Sequence, residues 1–235
     1  MGSERDFSGP LRACYPCLGT DLVQARACEA AVFGRRFGNS ADELRDEYAP
    51  YEGSTTFGAV LAPDGSALGA VRLVAPGPGR VKTLVDASRP PWNVSERMLD
   101  EVLALDEKRT WDVATLAVDP VAAGADRRIA PALLSVMFRA LAGEAATTFV
   151  ATLDSTARRS LEGLGMRLFD LPGAKPAPYL GSPSSVPVYR HLADLRSEHA
   201  AQFPQLHQQV FHGRGVEGLG PLVTAPYAPA LLETV

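Results

Sequence analysis

The chain has 235 residues, 46% hydrophobic and 21% charged, with a net charge of −4. This is the composition of an ordinary globular chain, long enough for one large domain with a sizeable core. The mild acidity speaks against a nucleic-acid binder, no apolar run approaches the roughly 20 residues that span a bilayer, and MGSERDFSGP lacks the apolar centre of a signal peptide. The expected location is cytoplasmic, and the composition reads as bacterial.

Residues 1–20 read as an irregular arm. It carries Cys14 and Cys17 at a C-x-x-C spacing. With Cys28 the cysteine count is odd, and no second pair or His cluster lies near, so the three read as unremarkable thiols rather than a zinc site or a redox pair. Thr20 and Asp21 cap a helix over 21–38, in which Leu22, Ala25, Cys28, Val32 and Phe33 share one face. Gly38-Asn39 ends it. Ser40 and Glu43 form a capping box for a short acidic helix over 41–52. Two apolar runs, 54–62 and 67–75, flank Pro63-Asp64-Gly65-Ser66, a strong hairpin signal. Residues 76–95, rich in Pro and Gly, read as a long loop carrying Trp92 and placed to cover a substrate. Ser95 caps a helix over 96–106.

The stretch Trp111–Met166 organises the rest. It holds a strand (111–120), a polar loop (121–128), a strongly helical segment (129–145), a second strand (147–154) and another helix (155–166). That is a βαβα unit with parallel strands. A polar loop between a strand's end and a helix's start presents unsatisfied backbone N–H groups, which suit a phosphate-bearing ligand. A Pro/Gly/Ser-rich loop over 171–187 follows, then a last strand running into a helix over 186–195. The domain proper is expected over 21–196, with 197–235 as an extension. His199, His207 and His212 in that extension read as surface or packing residues, and no metal site is expected.

The βαβα stretch resembles the core of the GNAT superfamily of N-acyltransferases. Val118-Asp119-Pro120 matches the family's V-x-P-like turn. Ile129, Ala130, Leu133 and Leu134 match the start of its next helix. Ser155, Ala157, Leu161, Gly165 and Met166 resemble its N-x-x-A-x-x-x-Y-x-x-x-G-F segment. Asp126 and Arg128 stand where the family wants small residues, and Leu161 stands where it usually has a Tyr that protonates the leaving thiolate. The first third is similar to one branch, the autoinducer (acyl-homoserine lactone) synthases and long-chain N-acyl amino acid synthases. Arg26, Phe33 and Phe37 match its first helix, Asp46, Glu47 and Glu52 its acidic patch, Gly69, Arg72 and Leu73 its strand pair, and Trp111-Asp112 the head of its central strand. Asp112 replaces the usual Glu there, and Thr115 the usual Arg.

The resemblance implies an α/β fold: a GNAT-like mixed, twisted sheet with helices on both faces, mostly antiparallel in its N-terminal half with a parallel central pair. It implies an N-acyltransferase that moves an acyl group from acyl-CoA, or from acyl-phosphopantetheine on an acyl carrier protein, to the amine of a small amino-acid-like acceptor. On that reading Asp112 and Glu47 hold or deprotonate the amine, and Arg72 binds an acceptor carboxylate or holds the acidic patch in place. The backbone of Leu116, Ala117 and Val118 faces the thioester. Arg127 and Arg128, with Ile129, Ala130 and Ser155, hold the phosphate-bearing arm. Arg26, Phe33, Glu52 and Trp111 contact substrate. Two other readings stand beside it: an ordinary acetyl-CoA-dependent N-acetyltransferase, and a GNAT-like domain that binds an acyl group or a partner without catalysis.

Overall fold

The computed structural model describes residues 10–103 and 106–214. The two ends of the chain, and the last part of the helix expected over 96–106, lie outside the described residues. Within the expected arm, Arg12–Cys14 form a short strand, β1. Helix α1 (Gly19–Phe37) follows and ends at Gly38, whose left-handed backbone lets its N–H bond Gly34. Helix α2 (Ala41–Tyr48) opens on the expected capping box, with both reciprocal bonds between Ser40 and Glu43 made. Strands β2 (Thr55–Leu61) and β3 (Ala67–Val74) form the expected hairpin, and Asp64 accepts from Ser66 N–H in its turn.

The stretch 76–95 is not simply a loop: it contains a six-residue helix, α3 (Lys82–Ala87). Periodicity does not reveal so short a helix. It is fixed in place by Asp112, which accepts from Thr83 N–H and Oγ1. Helix α4 (Glu96–Leu103) and strand β4 (Thr110–Val118) come next. The polar loop over 121–128 is also mostly helical, as α5 (Pro120–Ala125). Its start signal was in the sequence, since Asp119 accepts from Val121 and Ala122 N–H and Pro120 fills the first turn. Then come α6 (Ile129–Gly143), β5 (Thr148–Asp154) and α7 (Ser155–Gly163). Residues 171–187 differ from the expected loop. After β6 (Phe169–Asp170), they hold β7 (Ala177–Tyr179) and the first part of β8 (Ser182–His191). Two helices close the described chain, α8 (Leu192–Gln202) and α9 (Pro204–His212).

The strands form one sheet in the order β1-β2-β3-β4-β5-β8-β6, with β7 added on β8. β4 and β5 are parallel; the other pairs are antiparallel. β2 and β3 are buried at almost every position, because α1 and α6 both pack on them. Gly58 in β2 shows how closely α6 lies: an added Cβ would meet Val136 Cγ1 at 2.7 Å. α9 packs on α6, with the Phe211 ring stacked on Phe138 at 4.4 Å. His199 and His207 are buried in that seam, and His199 Nε2 lies 3.0 Å from the Leu164 carbonyl. The thiols of Cys14 and Cys17, expected to be unpaired, are joined in a disulfide; their Cα atoms are 5.5 Å apart, a normal span for one. Among the described residues no helix is long and apolar enough to cross a membrane.

Candidate active site

The sheet opens where its two parallel strands part. β4 and β5 pair only over Thr110–Asp112 and Thr148–Val150. Beyond that, β4 continues to Val118 and β5 to Asp154, each held only by its outer neighbour. A bulge marks the parting: Arg72 faces Thr115 and Leu73 faces Val113, leaving Ala114 as the extra residue. The Tyr48 hydroxyl donates to the Ala114 carbonyl at 3.1 Å. The edge of β4 facing the gap therefore carries backbone groups with no strand opposite.

The gap is a cleft of about 320 Å³. Its apolar lining includes Phe33, Phe37, Leu133, Leu134, Leu161 and Leu164. Thr152, on the β5 side, leaves its buried Oγ1 without a hydrogen-bond partner. The turn between β7 and β8 rests on the end of α1, where a Cβ at Gly181 (φ +79°) would run into the Phe37 backbone oxygen. Two arginines at that end of α1 reach the strands that part. Arg35 lies 3.9 Å from Asp119, and Arg36 bonds Asp154 at 2.9 Å. Asp119 and Asp154 each cap the helix that follows, α5 and α7.

The polar part of the lining is a tight cluster. Lys82 Nζ donates to Asp86 at 2.5 Å and to the Tyr179 hydroxyl at 2.6 Å, and lies 2.6 Å from Glu47. Tyr179 donates to Asp86 at 2.5 Å. The ammonium sits near the faces of Tyr48 and Tyr179, 5.4 and 5.3 Å from their centroids. Burial alone would depress the Lys82 pKa, but Asp86 and Glu47 outweigh it and hold the ammonium above its usual range. Burial, then the Asp86 charge, push the Tyr179 hydroxyl upward, so it stays protonated. Behind this cluster Asp112 is wholly buried. Its pKa is raised to about 6 by burial, against the opposing bonds from Thr83.

Of the residues singled out from sequence, Phe33, Phe37, Leu116, Val118, Ala130, Leu133, Leu134, Ala157 and Leu161 line the cleft. Glu47 reaches it through Lys82, and Asp112 through Thr83. The others are placed elsewhere. Arg72 does not face the cleft as an anchor for a carboxylate: its Nε and Nη2 take both oxygens of Glu29, at 2.9 and 2.5 Å, and Thr115 also donates to Glu29. This network is closed and buried. Trp111, Ala117 and Ile129 belong to the core. Arg26 pairs with Glu52 at the surface. Arg127 and Ser155 are exposed. Arg128, expected to hold a phosphate, instead bonds Asp126 through its backbone N–H at 2.9 Å and its guanidinium at 2.7 Å. That pairing holds the Asp126 carboxyl below its usual range.

Lys82, Asp86, Tyr48 and Tyr179 were not singled out from the sequence. Tyr48 sits at the end of the acidic helix, and a buried aromatic there was a weak signal. Lys82 and Asp86 have helical spacing, but in a Pro/Gly-rich stretch they read as loop charges. Nothing in the sequence brings Tyr179 to them, since it lies 97 residues beyond Lys82.

A mixed sheet whose central parallel strands part at a bulge is the GNAT architecture, and solved structures show the same fold. No protein-family model matches the chain, and no curated protein matches it. FeeM, an N-acyl amino acid synthase from uncultured soil microbes, superposes with a TM-score of 0.60 at 13% identity, covering 83% of this chain and 98% of that one. The AHL synthase LasI gives 0.53 at 13% identity, covering 83% and 93%. A putative N-acetyltransferase from Lactobacillus plantarum gives 0.52 at 15%, covering 78% and 99%. This chain has the GNAT fold.

Proposed function

We propose that the chain is an N-acyltransferase that moves an acyl group from a thioester to the amine of a small molecule. The observation that carries this reading is the cleft between the parted β4 and β5, apolar over much of its wall and polar at the Lys82 cluster. The acyl chain lies against Phe33, Leu133, Leu134 and Leu161, where each buried methylene contributes about 0.8 kcal/mol. Backbone N–H groups on the open edge of β4, near Leu116, polarise the thioester carbonyl. An ammonium acceptor first gives a proton to Asp86 or Glu47, because only the neutral amine is a nucleophile. Its nitrogen then bonds the carbonyl carbon, the C–S bond breaks, and the thiolate leaves with the proton the new amide nitrogen sheds. Tyr179, held protonated beside Asp86 on the cleft lining, assists that last transfer.

The apolar wall favours medium or long acyl chains over acetyl. The Asp126–Arg128 pair places a carboxylate beside the start of α6, where the diphosphate of CoA would meet its charge. This favours a donor with a single phosphate, acyl-phosphopantetheine on a carrier protein. The test is thermal stabilisation by acetyl-, octanoyl- and dodecanoyl-thioesters of CoA and of phosphopantetheine, followed by thiol release on adding amines. Stabilisation should rise with chain length, reaching about 2.7 kcal/mol at 100 times the dissociation constant. A preference for acetyl-CoA would replace this reading with the plain acetyltransferase, and no stabilisation by any thioester would sink it.

A further inference from the structure

The polar part of the cleft also says what kind of amine it takes. Lys82 is the buried cation of the lining, and all three of its N–H donors are spent, on Glu47, Asp86 and Tyr179. Arg36, the other cation on the lining, is bonded to Asp154. Arg72, nearby on β3, has both reaching nitrogens on Glu29. Every one of these cations therefore already holds a carboxylate of the protein. The cluster itself sets two carboxylates against one ammonium, and the ring faces of Tyr48 and Tyr179 flank the space the ammonium occupies. Aromatic faces and excess negative charge attract cations and repel anions. An amino acid's carboxylate, one carbon from its amine, would enter beside Glu47 and Asp86, where Lys82 has no N–H left to meet it.

Resting on the acyl-transfer reading above, we infer that the Glu47–Lys82–Asp86–Tyr179 cluster receives a cationic amine with no carboxylate on the neighbouring carbon. An amino alcohol, an arylalkylamine, a diamine or an amino-acid ester or amide belongs to this class; a free α-amino acid does not. The amine proton points at Asp86 or Glu47, and the body of the acceptor lies along Tyr48 and Tyr179.

The experiment uses the full chain and matched pairs that differ by one carboxylate: tyramine and tyrosine, agmatine and arginine, ethanolamine and serine. Binding is followed by calorimetry, and thiol release is measured with the same compounds from dodecanoyl-CoA and from dodecanoyl-phosphopantetheine. The expected result is that the better amines bind, and react, about tenfold or more better than their amino acids. Glu47→Gln, which alters a partly exposed side chain, should shrink that ratio while leaving the melting temperature near the parent's, and Asp86→Asn should shrink it at some cost in melting temperature. Equal or better use of the amino acids would overturn the inference with acyl transfer intact. So would binding of neither set. Amines that bind in preference to amino acids without any thiol release would sink the acyl-transfer reading and leave the cluster's selectivity standing.

Discussion

Two cation-centred clusters flank the same part of β4, and they are built for different ends. Around Arg72, a bidentate bond to Glu29 and a hydroxyl from Thr115 make a sealed network, with Arg72 and Glu29 only 3% and 2% exposed. Around Lys82, the ammonium is just as buried at 4%, but its partners Glu47 and Asp86 are 34% and 18% exposed, and Asp86 lines the cleft. The Arg72 side chain is further enclosed between the rings of Tyr48 and Phe57, 4.1 and 4.7 Å from their centroids. Tyr48 is shared, since its other neighbour is Lys82. The difference shows that a buried cation among apolar residues is not by itself a sign of a binding site. Its partners decide, and here both cations hold carboxylates of the protein.

Three changes test that contrast. The largest effect is expected from Arg72→Met, which leaves Glu29 buried without its cation and should cost about 3–5 kcal/mol in urea unfolding. Pairing it with Glu29→Leu should recover most of the loss. A small loss for the single change would mean that the network is not sealed. Asp112→Asn comes next. The native carboxyl is raised from 3.8 to about 6, so the folded state holds its proton more tightly than the unfolded one. Stability from this group is therefore fully present below about pH 4 and is lost as pH rises through about 6. Relative to the Asn variant, wild type should weaken by about 3 kcal/mol between about pH 4 and about pH 7, read as the difference between two pH–stability curves. Parallel curves would show that Asp112 is not desolvated. Glu47→Gln should be smallest, under about 1 kcal/mol of stability, because its carboxylate is partly in water. A larger loss would place the Lys82 cluster with the structural network rather than with the cleft.

Much of the frame was legible in the sequence because its signals are local. The Asp64-Gly65 turn, the Ser40–Glu43 capping box, the Gly38 helix end and the strand–helix–strand–helix order over 111–166 each depend on residues a few positions apart, and each is present, although α2 ends at Tyr48 rather than at 52. α3, α5, β7 and the start of β8 were missed because they are short, lie in Pro/Gly-rich or polar stretches, and are held by tertiary bonds such as Thr83 to Asp112. The site was legible only in part. Phe33, Leu116, Val118 and Ala130 were placed by pattern, whereas Lys82, Asp86 and Tyr179 come together only when β7 folds back beside α3.

The sequence alone determined the longer strands and helices, their order and the apolar faces that form the core, because periodicity and capping act between near neighbours. The tertiary structure decided which charges answer which. Arg72 drew attention as a lone cation in a buried strand, yet Glu29, 43 residues away, binds it through both carboxylate oxygens. Asp126 takes Arg128, expected to hold a phosphate, and Lys82 finds Tyr179 across the cleft. A buried charge is defined by whatever lies within a few ångströms of it, and in this chain those neighbours come from distant parts of the sequence.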